Sequence, residues 1–110
     1  MNIIYHQGLT STDWFSKNIF EQMANIGSEI FRTISWREKK PDFSQKAFFR
    51  GLELLDLTAE DPNNCDRLTE ILRTREALVD YFVYDNEYKS SDKLWQDYFY
   101  AYNYAARVAI

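Results

Sequence analysis

The sequence predicts an all-α protein, an up-down-up-down antiparallel four-helix bundle with a short N-terminal arm. Its 110 residues include only 3 glycines and 2 prolines, where average usage gives about a dozen. Apolar residues make up 45% and aromatic residues 17% of the chain, which excludes wholesale disorder. Apolar residues recur three or four positions apart in four segments, as in amphipathic helices. The length is that of one domain, so we expect a single domain over residues 1–110.

The first predicted helix covers about residues 12–36 and starts within the segment TSTD, residues 10–13, whose polar side chains are typical helix caps. One apolar stripe runs along it, made of Phe15, Ile19, Met23, Ile26, Ile30 and Ile34. Trp14 and Trp36 lie off this stripe on a helical projection, so we expect both on the outer surface. The residues before the helix are expected to form an extended arm, with Ile3–Tyr5 against the bundle.

Three further helices are predicted at about residues 44–58, 64–84 and 91–109, separated by short polar segments. Their expected N-caps are Ser44, Asn63 or Asn64, and Ser90 or Ser91. Because the joints are short, consecutive helices are expected to run antiparallel. The inner stripe of the third helix is predicted to contain Leu68, Ile71, Leu72, Leu78, Val79 and Phe82. That of the fourth is predicted to contain Leu94, Trp95, Tyr98, Ala101, Tyr102, Ala105 and Val108.

Two glycines interrupt the predicted helices on their apolar stripes. Gly27 and Gly51 each cost about 1 kcal/mol of helix stability relative to alanine. Folding the first two helices back about Lys39–Lys40 brings Gly27 level with Gly51. We therefore expect the two glycines to face each other and to let the two backbones approach closely.

Charge and cysteine content restrict the partners and the compartment. The net charge is −4, whereas a nucleic-acid binder needs a basic surface to neutralise phosphates. No apolar window is long enough to span a membrane, and the N-terminus lacks the pattern of a signal peptide. The single cysteine, Cys65, can form no internal disulfide. We expect a cytoplasmic protein without membrane contact.

Residue patterns for catalysis and metal binding are sparse. His6 is the only histidine and lies outside the predicted helices. A metal site with several histidines, or a catalytic triad with a histidine other than His6, is therefore not expected. The third helix carries Glu70, Glu76 and Asp80, which the helical projection places on a solvated face. No glycine-rich phosphate loop or nucleophile elbow occurs. The sequence predicts no cofactor, no metal and no catalytic residue, and favours a non-enzyme.

One charged residue stands in an apolar stripe. Arg75 lies among the predicted core residues of the third helix, and a buried guanidinium needs a carboxylate or several acceptors. Counting through the joints places it near Glu29, Tyr98 and Tyr102, so we predict a polar cluster of these four residues. Three roles stay open for the cluster: setting the register of the core, forming a ligand pocket, or letting Arg75 extend to solvent.

Aromatic side chains also occur away from the predicted core. The fourth helix places Phe99, Tyr100 and Tyr104 on its flank and outer face, and the third adds Tyr81 and Tyr84. Such rings are typical of protein interfaces. Burying them between two copies would remove the hazard of exposing them, so we predict a homodimer or other homo-oligomer.

Four stretches resemble those of short, all-α hypothetical proteins of prokaryotes: NIGSEIFRTISW, KAFFRGLELLDLT, REALVDYFVYDNEY and YFYAYNYAARV. They cover most of the chain between residues 24 and 108. No activity is established for those proteins, so the resemblance implies no catalytic residue. The predicted architecture is similar to that of the four-helix proteins encoded in ribosomal RNA intervening sequences. It is also similar to that of their retroelement-accessory relatives, which are basic and form rings that bind nucleic acid. The similarity therefore implies such a ring, although this chain is acidic.

The sequence leaves three functions open. The first is a non-catalytic interaction module that self-associates and docks a partner. The second is a nucleic-acid accessory protein. It would use Trp36, Arg37, Lys39, Lys40 and Lys46. The third is an enzyme or binder of a phosphorylated small molecule at the predicted Arg75 cluster.

Overall fold

Helices form most of the chain between residues 9 and 108, the part that the computed structural model describes. No strand occurs among these residues, so the predicted all-α class is confirmed for them. A 3₁₀ helix, Pro62–Arg67, precedes the fourth of five α-helices. The α-helices are α1 Ser11–Phe15, α2 Ile19–Trp36, α3 Pro41–Glu60, α4 Leu68–Phe82 and α5 Asp92–Val108. The predicted N-terminal arm lies almost wholly outside the described residues, as does Ala109.

The first predicted helix is in fact two helices, α1 and α2. Asn18 adopts an extended conformation and its side chain accepts a hydrogen bond from the Glu21 amide at 2.9 Å. Asparagine is a strong N-cap, so a new helix starts here although the apolar spacing continues across the break. The break turns Trp14 inward. The prediction that Trp14 lies outside is therefore wrong: it is 3% exposed.

The second predicted helix starts three residues early, at Pro41. Proline suits the first turn because its φ is preset and its missing N–H would have no partner there. Ser44 is thus inside α3 and is not its cap. It is buried, and its hydroxyl donates to the Thr33 carbonyl of α2 at 2.6 Å. The predicted cap instead joins two helices.

The third and fourth predicted helices begin differently. The residues expected to open the third form the 3₁₀ helix, whose N-cap is Asp61, and the α-helix starts at Leu68. Ser91 caps the fourth as predicted, because its hydroxyl accepts from the Leu94 amide at 3.1 Å. Among the described residues, no helix combines the length and the apolar character needed to cross a membrane.

The core lies where α2 packs against α3 on one side and α5 on the other. Arg37, just after α2, contacts Asp92 at the start of α5, while the Phe20 ring at the start of α2 lies 6.5 Å from that of Tyr102. Contacts along α2 and α5 therefore run in opposite orders. The largest fully buried apolar side chains are Met23, Ile26, Ile30, Leu55, Leu57, Leu78 and Phe99.

Gly27 and Gly51 each let another helix approach closely. Contrary to the prediction, however, the two glycines do not face each other. A Cβ placed on Gly27 would lie 2.7 Å from the Cβ of Phe99 in α5. A Cβ placed on Gly51 would lie 3.4 Å from Glu29 and Ile30 in α2. The reason is that α2 uses one face for α5 and another for α3, so each glycine serves a different pair of helices.

A buried polar network joins α1, α2, α3 and the 3₁₀ helix. The Trp14 indole donates to the Thr58 hydroxyl at 3.0 Å. The Gln22 amide, which is fully buried, donates to the Asp61 carboxylate at 2.9 Å and accepts from Asn64 at 2.8 Å. Buried polar groups are costly unless they are paired, so this network specifies how the 3₁₀ helix and α1 pack.

Candidate binding surfaces

The predicted Arg75 cluster does not form. The Arg75 guanidinium extends from α4 toward α3 and pairs with Asp56 at 2.7 Å. Both side chains are about one third exposed, so the arginine is neither buried nor available as an unpaired phosphate ligand. The helical projection gave its apolar surroundings but not its direction, which depends on the neighbour that supplies the carboxylate.

Glu29, the carboxylate expected beside Arg75, has other partners. It is buried on α2 and pairs with Arg32 at 2.8 Å and with Arg50 of α3 at 3.0 Å. This ion pair joins α2 to α3. With two arginine partners of its own, Glu29 does not supply the carboxylate of Arg75.

Tyr98 and Tyr102 come together, as predicted, but around Glu70 of α4. The Tyr102 hydroxyl donates to the Glu70 carboxylate at 2.7 Å, and Tyr98 lies 3.0 Å from the Thr74 hydroxyl. Burial raises the pKa of Tyr102 above its usual range, and the hydrogen bond to Glu70 raises it further. Burial likewise raises the pKa of Tyr98. Both phenols are therefore neutral donors that join α4 to α5.

The acidic residues of α4 do not share one solvated face. Glu70 and Glu76 are exposed, but Asp80 is buried. Its carboxylate accepts from the Glu87 and Tyr88 amides at 2.9 and 3.0 Å, which fastens the loop 83–91 to α4. The prediction for Asp80 is wrong because a helical projection cannot include a loop that folds back.

Cys65 is exposed, and residues 9–108 contain no group of three or more His, Cys, Asp or Glu side chains that could hold a metal ion.

The predicted interface residues have different fates. Tyr84, Tyr100 and Tyr104 are exposed, Tyr100 and Tyr104 by 61% each. Phe99 is 1% exposed, because it fills the space that Gly27 leaves open, so its prediction as an interface residue is wrong. Tyr81 is half-buried and donates to Asp92 at 2.6 Å.

The buried face of α5 is rotated from the predicted one. Trp95 and Phe99 are buried and Tyr102 is half-buried, whereas three residues of the predicted inner stripe lie outside: Leu94, Ala101 and Val108. These three are seven residues apart and therefore share one side of the helix. With Tyr104 they form an exposed face, here called the α5 stripe. Apolar residues almost encircle this helix, so their spacing did not predict which side is exposed.

The candidate nucleic-acid residues are gathered near the joint between α2 and α3. The Lys40 ammonium lies 5.4 Å from the Trp36 ring and 5.0 Å from that of Phe43. Lys46 lines a small groove beside these rings, and Lys39 is exposed. Arg37 is the exception, because Asp92 holds it at 2.6 Å.

Arg37 and Asp92 each stabilise the charged form of the other. The hydrogen bond to Asp92 raises the pKa of Arg37 above its usual value, against the opposing effect of burial. Burial raises the pKa of Asp92, but the hydrogen bonds from Arg37 and Tyr81 bring it below its usual range. Arg37 thus joins α2 to α5.

A further surface was not predicted. The loop 83–91 folds against α4 and leaves a groove of about 540 Å³, here called the α4 groove. Leu72, Val79, Tyr84 and Tyr88 are its apolar lining. In the sequence, the one feature that could have indicated this groove was Asp80, an acidic residue near the end of α4 that is followed by a polar loop.

Comparison of the chain with protein families, with curated proteins and with solved structures gave no match.

Proposed function

We infer that the protein is a non-catalytic interaction module that forms a homodimer or other homo-oligomer through the α5 stripe and docks a protein partner. The exposed stripe of Leu94, Ala101, Tyr104 and Val108 carries the proposal. A monomer that exposes several large apolar side chains on one helix face risks non-specific association, and a symmetric contact removes that risk. Tyr100 lies at the edge of the stripe and is equally exposed.

The proposed module is a single domain in which α2, α3, α4 and α5 alternate up and down. Contacts between α4 and α5 support this topology. Asp92 at the start of α5 meets Tyr81 near the end of α4, while Tyr102 meets Glu70 near its start. We assign the module to the cytoplasm, since its single cysteine can form no internal disulfide.

Light scattering coupled to gel filtration tests the oligomer at micromolar concentration. We expect a mass of two or more chains for the wild type and of one chain for Tyr104→Glu, because the new carboxylate would be buried without a partner. The matched control is Gln96→Glu, which adds the same charge on an exposed position away from the stripe. A wild-type mass of one chain that does not rise on concentrating contradicts the proposal.

A second candidate function, binding of single-stranded nucleic acid, is favoured by one observation. Lys40 lies over the rings of both Trp36 and Phe43, and Lys46 borders the small groove that these two rings line. These four residues are here called the platform. Rings beside cations suit bases and phosphates of a single strand. Because Trp36 is 37% exposed while the other two tryptophans are buried, quenching of tryptophan fluorescence by oligothymidine reports on this platform.

Titration with oligothymidine at two salt concentrations tests this second function. We expect quenching that weakens between about 50 and about 200 mM salt, as phosphate contacts do. Lys40→Glu is expected to abolish it, whereas Lys17→Glu, far along the chain from the platform, is expected to retain it. Quenching that is equal in both variants, or absent in the wild type, excludes the platform.

A further inference from the structure

The α4 groove has a wall that is built before any partner arrives. Asp80 accepts hydrogen bonds from the amides of Glu87 and Tyr88. Asn86 has a positive φ of 55° and exchanges hydrogen bonds with Ser90 at 2.8 and 3.0 Å. The loop is therefore held by its own contacts, and a ligand would not have to order it. Preformed sites lose less conformational entropy on binding.

The floor of the groove is apolar and continues beyond it along α4. Val79 is half-buried, while Leu72, Tyr84 and Tyr88 are largely exposed. Leu68, one turn before Leu72, is exposed as well. An apolar strip of this kind, with a loop wall at one end, suits an elongated ligand better than a compact one.

The rim is acidic. Glu76, Asp85 and Glu87 are exposed around the groove. Among the described residues that line the groove, the one cation is Arg75, which is already paired with Asp56 at 2.7 Å. Glu76 accepts the Tyr88 hydroxyl at 2.8 Å and has further lone pairs free. This charge repels nucleic acids and anionic membranes and attracts a cationic partner.

We propose that the α4 groove docks a cationic amphipathic segment of a protein partner. The apolar side chains of that segment contact Leu72, Val79, Tyr84 and Tyr88, and its flanking Lys or Arg residues pair with Glu76, Asp85 and Glu87. This site lies on α4 and is separate from the α5 stripe. It does not depend on the oligomeric state inferred above.

The binding test uses a fluorescently labelled amphipathic peptide that presents leucine on one helix face and lysine on the other. It is about 18 residues long so that it is helical when bound. We expect saturable anisotropy changes with the full chain that weaken as salt rises from about 50 to about 500 mM. The variant with Asp85→Lys and Glu87→Lys is expected to bind at least about tenfold more weakly. Its control, Glu60→Lys with Asp66→Lys, makes the same charge change at exposed positions away from the groove.

A second pair of variants separates the groove from diffuse charge attraction. Leu72→Ser should weaken peptide binding by about fivefold, because it removes an apolar contact, whereas Leu94→Ser on the α5 stripe should leave it unchanged. Circular dichroism verifies that each variant is folded. Equal binding by all variants, or no binding by the wild type, overturns the proposal. So does a loss of oligomer mass in the Asp85 and Glu87 variant, because a second copy would then occupy the groove.

Discussion

Adding a single methyl group at each of the two helical glycines should have opposite effects on stability. Both substitutions to alanine gain about 1 kcal/mol from helix propensity. Gly51→Ala places its Cβ at 3.4 Å from Glu29 and Ile30, an ordinary van der Waals contact. We expect this variant to be more stable than the wild type by about 1 kcal/mol.

Gly27→Ala is expected to be destabilising in spite of the same gain. Its Cβ would lie 2.7 Å from the Cβ of Phe99, and 3.1 and 3.2 Å from two ring carbons. A Cβ cannot rotate away as a side-chain end can, so α2 and α5 must separate. Overpacking of this severity costs up to about 3 kcal/mol, which leaves a net loss of about 2 kcal/mol after the propensity gain.

Urea denaturation followed by circular dichroism measures both free energies of unfolding. The two variants should differ by about 3 kcal/mol, and each kcal/mol corresponds to about 4–8 °C in melting temperature for a domain of this size. Combining Gly27→Ala with Phe99→Ala should not restore stability, because alanine keeps the clashing Cβ. A Gly27→Ala variant as stable as Gly51→Ala would refute the close approach of α2 and α5.

Three further outcomes are expected. Thr58→Val keeps the shape of the side chain but removes the acceptor of the buried Trp14 indole, so urea denaturation should report a loss of about 1–3 kcal/mol; a change below about 0.5 kcal/mol contradicts the network. Because the pKa of Tyr102 is raised in the folded state, the unfolded chain ionises first, and stability should fall as the pH rises above about 10. The stability of Tyr102→Phe should decline less steeply over that range, and an equal slope for the two proteins argues against a raised pKa of Tyr102. Asp80→Asn should weaken the hydrogen bonds that hold the loop 83–91 against α4. The Glu87 amide should then exchange hydrogen faster, while the amides of α2 keep their exchange rates.

Local patterns predicted the parts of the fold that depend on neighbours in the chain. The spacing of Met23, Ile26 and Ile30 predicted a helix with a buried face, and all three are buried. Ser90 or Ser91 was predicted as a cap, and Ser91 is the cap. The start at Pro41 and the break at Asn18 carried local signals as well, but the continuing apolar period outweighed them in the sequence analysis.

The candidate surfaces depended on directions that periodicity does not supply. On α5, apolar side chains nearly encircle the helix, so the sequence did not distinguish Phe99, which is buried, from Leu94, which is exposed. Phe99 points inward, where it packs against α2 at Gly27. Arg75 was correctly singled out as an unusual charge, but its partner, Asp56, lies on the second predicted helix, whereas the carboxylate was expected from the first.

The sequence by itself determined that the described chain is helical and which segments are amphipathic, because helix formation and capping depend on residues within a few positions of one another. Tertiary structure alone decided which side of α5 is buried and where Arg75 finds its carboxylate. It also decided that Asp80 fastens a loop to form the α4 groove. These features join residues on different elements. Their geometry is set by how closely the helices pack and by the requirement that buried polar groups be paired.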